Sequence, residues 1–100
     1  MRNWNRKQLT KQYKNLFVEV RLIVNEHDPI GLIAGDAPKD EYDDEIASIM
    51  PLLNKGLSLE DLSMQIALIF SKQFGDGKVQ SYEPYKPLSK DLMKLMEHLT

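Results

Sequence analysis

The residues best equipped for chemistry lie in one stretch, EHDPIGLIAGDAPKDEYDDEI, from position 26 to 46. His27 stands beside Asp28, a pair of the kind from which proton-transferring sites are built. Asp36, Asp40, Glu41, Asp43, Asp44 and Glu45 then place six carboxylates within ten residues. Carboxylates three and four apart share a helical face, and such a face can hold a hard cation such as Mg²⁺. Asp40, Asp43 and Asp44 are the ligands of that reading. Its activity is the metal-dependent hydrolysis of a nucleotide or phosphate ester.

A plainer account covers the same residues. Acids in the first turn of a helix are favoured by its dipole, by about 0.3–1 kcal/mol each. Like-charged pairs four apart cost only roughly 0.2–0.5 kcal/mol. If Tyr42, Ile46 and Leu53 mark the buried side, Asp40 and Asp44 face water and Asp43 lies on the flank. A catalytic cluster should instead face a cleft. Small helical nucleotide pyrophosphohydrolases use a second acidic set on a facing helix, whereas this chain has only Glu60 and Asp61 nearby. Asp61 is better explained as part of a helix cap. His27 sits on an apolar stripe at a helix end, where a capping role suits it. No serine lies in a nucleophile-elbow context, and neither GLIAG nor GDGK matches a phosphate-binding loop.

These residues must be positioned by helices. Leu9, Tyr13, Leu16, Val20, Ile23, Val24 and His27 recur in steps of three and four, which predicts a helix over 8–27. Val18 and Leu22 lie on its other side, so this helix is either sandwiched or turned toward another subunit. Pro29 disfavours helix at Asp28 and ends it. Ile30, Leu32 and Ile33 are too apolar for a free linker, so the loop is expected to fold onto the core.

A second helix is expected over 39–54, with Asp36 as N-cap, Pro38 in its first turn and a kink or break at Pro51. A third begins after Ser58, which has capping-box spacing to Asp61. Its off-stripe Met64 and Leu68 suggest a central position. GDGKVQSYEPYKP reads as an irregular connector rather than a hairpin. A fourth helix is expected from Ser89 to about Leu99, with Leu88, Leu92, Leu95, Met96 and Leu99 as its stripe. The sum is one all-α domain over 1–100: four helices in a compact bundle, with an irregular, partly packed loop between the first two.

Composition narrows the partners. The chain has 100 residues, no cysteine and a net charge of −2. It therefore lacks thiolate metal sites and thiol nucleophiles, and fits a reducing cytoplasm. No signal peptide or membrane span is expected. The charge gives no general pull toward nucleic acid. Arg2, Arg6, Lys7, Lys11 and Lys14 make the start basic, with Trp4 and Tyr13 beside them, while residues 36–45 are acidic. That asymmetry suits internal pairing, a protein partner, or a homodimer whose basic first helix meets the acidic second helix of its mate.

The strings NEHDPIGL, AP.DEYDDEI and IMPLL resemble a family of small bacterial proteins typified by the YugE-like proteins, a domain of unknown function. The resemblance runs over nearly the whole chain. It implies a compact helical bacterial domain and brings no catalytic assignment and no cofactor. The family motif often has Trp at the place of His27, which counts against a catalytic His27. The resemblance also suggests structural duties. Asp28, Pro29 and Gly31 would turn the chain, and Tyr42 would bury its ring while its hydroxyl finds a polar partner in the loop. The expected function is a non-enzymatic interaction or regulatory module. His27, Asp28, Tyr42 and Asp43 are the candidate binding residues, since they sit nearest the loop and the buried face.

Overall fold

The structure is a computed structural model that describes residues 6–75, 77–79 and 81–99, with side chains from residue 12 onward. Arg2 and Trp4, and the side chains of Arg6, Lys7, Leu9 and Lys11, lie outside the described residues. Among the described residues there are four α-helices: α1 (Arg6–His27), α2 (Asp43–Ile49), α3 (Leu59–Phe74) and α4 (Lys86–His98). No strand occurs among the described residues, in keeping with an irregular connector before α4.

The helices close a ring of contacts. α1 packs on α2 and α4, and α3 packs on the same two from the other side. Val20 and Val24 of α1, Ile46 and Ile49 of α2, Leu62, Ile66 and Phe70 of α3, and Leu88 and Leu92 of α4 meet in the core. Each full burial of such a side chain contributes about 1.5–3 kcal/mol. α1 is not sandwiched, since Val18 and Leu22 are exposed; on α3, Met64 is exposed and Leu68 half-buried, so its off-stripe side is covered in part. α1 is 22 residues long, about 33 Å, and among the described side chains Leu16 and Phe17 are the first along it to pack against the core. Tyr13 lies one turn earlier on the inward stripe, yet it is 50% exposed.

The chain stops α1 in the expected place. Asp28 takes a left-handed conformation, φ +48, and its N–H donates to the Val24 carbonyl at 2.8 Å. Pro29 then prevents continuation. In the loop, Ala37 N–H reaches the Leu32 carbonyl at 2.9 Å and Asp36 N–H the Ile33 carbonyl at 3.1 Å. With Asp36 at φ +68, this is the Schellman pattern that ends a helical turn. Asp36 therefore closes a turn of the loop and is not the N-cap of α2. Leu32 and Ile33 pack against the core.

α2 starts at Asp43, four residues later than expected, with Tyr42 at the cap position and no side-chain cap. Pro38 lies in the preceding turns, where its carbonyl accepts from Glu41 N–H at 3.1 Å. The break at Pro51 takes a definite form: the α-helix passes into a 3₁₀ segment, Met50–Asn54. Proline has no N–H for the Ala47 carbonyl, so the α-helical ladder cannot extend through it. Ser58 caps α3 as expected, accepting from Asp61 N–H at 3.1 Å.

The start of α4 differs from expectation. Pro84 lies in a 3₁₀ turn, Glu83–Tyr85, and Pro87 in the first turn of α4. Both prolines preset a helical φ, so the helix begins at Lys86. Ser89 is consequently inside α4 and fully buried, not its cap.

Candidate functional site

Asp28 and Tyr42 form a polar knot between the end of α1 and the start of α2. The Tyr42 ring is fully buried, and its hydroxyl donates to Asp28 Oδ1 at 2.6 Å. That hydroxyl in turn accepts from the N–H groups of Ile30 and Leu32, each at 3.2 Å. Asp28 Oδ1 also accepts from Ile33 N–H at 3.0 Å, and Oδ2 from Ala34 N–H at 2.9 Å. The Tyr42 hydroxyl does find its polar partner in the loop.

The electrostatics follow from these bonds. The Tyr42 hydrogen bond holds the Asp28 carboxyl below its usual range, with the Ala34, Ile33 and Leu32 N–H groups adding to it against the cost of burial. Burial, and then the Asp28 carboxylate, push the Tyr42 phenol upward. The pair thus keeps a charged acid and a protonated phenol, with the phenol's donor and both lone pairs engaged. It is built to hold a loop rather than to move a proton.

His27 does not join Asp28. Its Nε2 lies 2.7 Å from Asp91 Oδ2 on α4, tying the end of α1 across to the last helix. Asp43 goes to a third place. Arg21 of α1 meets it with two parallel hydrogen bonds, Nε to Oδ1 at 2.9 Å and Nη2 to Oδ2. The guanidinium also lies 5.4 Å from the Phe17 ring centroid. The Asp43 hydrogen bond raises the Arg21 pKa against desolvation, and the charges of Asp43 and Asp40 add to it. Of the four candidate residues, the fold joins only Asp28 and Tyr42 directly.

The acidic stretch separates in the same way. Asp40 and Asp44 are exposed and Asp43 half-buried. No group of three or more His, Cys, Asp or Glu side chains among the described residues is placed to hold a metal ion. Glu45 behaves differently from its neighbours. It is 3% exposed, and its Oε1 has no hydrogen-bond partner. Burial raises its pKa, and Asp44, Glu41 and Asp43 add to that.

No family model, curated protein or solved structure matches the chain. No helix among the described residues is long and apolar enough to cross a membrane.

The surface is most distinctive along α1. Val18 is 47% exposed and Leu22 60% exposed. Beside them a groove of about 700 Å³ opens between α1 and α4, with Leu16, Val18, Glu19, Leu95 and Leu99 on its walls. Sequence reasoning placed Val18 and Leu22 off the core stripe, but it did not find this groove. Nor did it find Asp91, or the aromatic cluster in which Phe70 meets Tyr42 edge-on at 5.8 Å and stacks on Tyr85 at 5.6 Å. The spacing of Phe70 and Phe74 by four was the signal available for the cluster.

Proposed function

We propose that the protein is a non-enzymatic interaction module whose partner docks on the outer face of α1. The observation that supports this is the exposure of Val18 and Leu22, one turn apart on a helix whose other faces are occupied by the core, α2 and α4. Large apolar side chains side by side in water, next to an apolar groove, suit a docking surface. The polar candidates support it from the other direction. Asp28, Tyr42, His27 and Asp43 are each engaged within the fold, so they serve architecture. The proposal takes in the resemblance to the YugE-like family, and with it a bacterial, cytoplasmic setting. Neither adds a reaction.

The test is affinity capture from a lysate of the source cells, with the chain and its Val18→Lys/Leu22→Lys variant as parallel baits. Both substituted residues are exposed, so the variant should keep its melting temperature. The expected result is a protein retained by the wild type and lost, by about tenfold or more, from the variant. Equal recovery on both baits would remove the basis for placing the partner on α1.

A further inference from the structure

We infer that the partner seated on the outer face of α1 is a second copy of this chain, in an antiparallel pairing of the two α1 helices. The inference rests on the reading of α1 as the docking face and names what docks there.

Lys14, Val18, Leu22 and Glu26 follow one another every four residues along α1, and all four are exposed. Residues spaced by four form a continuous ridge on a helix, and such ridges pack against their like in the commonest class of helix pairs. The ridge has a polarity. Its N-terminal end carries a cation, its centre two apolar side chains, and its C-terminal end an anion. Neither Lys14 nor Glu26 has an ion-pair partner among the described residues.

The neighbouring loop brings one charge of each sign, Lys39 and Asp40, alongside the C-terminal half of α1. The Asn25 side chain donates to the Lys39 carbonyl at 2.8 Å, which sets this part of the loop beside the C-terminal part of α1. Exposed Asp40 follows Lys39 directly, and its charge is felt by Arg21. Glu26 thus lies at one end of the ridge and Lys14 at the other.

A two-fold axis through the middle of this ridge makes it complementary to itself. Positions summing to forty then face each other: Val18 meets Leu22 of the second copy twice, and Lys14 meets its Glu26 twice. A parallel pairing would instead oppose lysine to lysine and glutamate to glutamate. An isologous contact of this kind closes at two chains and leaves no free end for a filament. With a small apolar centre and charges at the rim, the association is weak, transient and salt-sensitive.

Sedimentation equilibrium at low salt, with loading up to about 1 mM, should show the mean mass rising from one chain toward two. Raising the salt should move that rise to higher concentration. Lys14→Glu alone and Glu26→Lys alone should each weaken association about tenfold, since each turns two attractive contacts into repulsive ones. The double exchange Lys14→Glu/Glu26→Lys should restore it. The cysteine-free chain adds a check on direction. Val18→Cys mixed with Leu22→Cys should form a disulfide under air oxidation faster than either variant alone, because a disulfide demands β-carbons within about 4.5 Å of each other. A monomer throughout the range, association indifferent to Leu22→Lys, or failure of the double exchange to restore it overturns the inference. If the chain stays monomeric while a different protein is still captured through Val18 and Leu22, only the second copy is excluded and the docking face stands. If capture is lost as well, both fall.

Discussion

Asp28 and Glu45 are carboxylates at the two ends of the same loop-and-helix segment, and they have opposite circumstances. Asp28 is half-buried and accepts three hydrogen bonds, one from a phenol and two from backbone N–H groups. Glu45 is almost wholly buried and has an oxygen with no partner. The first is held in its charged form and the second is pushed toward its neutral form. Residence in an acidic stretch therefore says little about an acid. What decides its state is whether donors have been brought to it.

The largest effect is expected from Asp28→Ala. It removes the acceptor of three donors and places a β-carbon-bearing residue without a stabilising side chain at positive φ. The expected loss is about 3 kcal/mol, read from the urea midpoint. Tyr42→Phe should follow at about 1–2 kcal/mol, since it keeps the ring contacts but strips the hydroxyl from Asp28, Ile30 and Leu32.

Glu45→Met should act in the other direction. An apolar side chain of similar length removes an unpaired buried carboxylate and should add about 1 kcal/mol near pH 7. The two acids also separate with pH. The Asp28 pKa is lowered on folding, so its contribution is present above its unfolded value and lost as pH falls through the folded one. The Glu45 pKa is raised, so its contribution is complete below its unfolded value and lost as pH rises through the folded one. The advantage of Glu45→Met over wild type should therefore shrink toward about pH 4, while the deficit of Asp28→Ala shrinks only at still lower pH. An advantage for Glu45→Met that did not change with pH would break the comparison. The smallest effect belongs to Leu22→Lys, expected within about 0.5 kcal/mol of wild type, because its side chain is committed to nothing inside the fold.

The helices were legible because their stripes are long and their stops are local. Pro29 after Asp28, Pro51 and Ser58 act within a turn of where they stand. Asp36 was less legible, because its role depends on the loop first making a turn from Leu32. Ser89 was misplaced because Pro84 and Pro87 had already started the helix. The Glu45 side chain was hidden from a wheel that used a single inward direction. α2 packs on both α1 and α3, so a wider arc of it is covered than one stripe suggests. The partner of His27 is Asp91, sixty-four positions away, and nothing local to His27 points there. The docking ridge was half legible: Val18 and Leu22 stood out, but their exposure required the ring of helices.

The Asp28–Tyr42 knot has a consequence for how the molecule breathes. Four consecutive or near-consecutive loop amides, those of Ile30, Leu32, Ile33 and Ala34, donate inward to two side chains. In deuterated solvent these amides should exchange slowly despite lying outside the four α-helices, and Tyr42→Phe should release those of Ile30 and Leu32 first. A segment with the outline of a surface loop would then open on the timescale of the core.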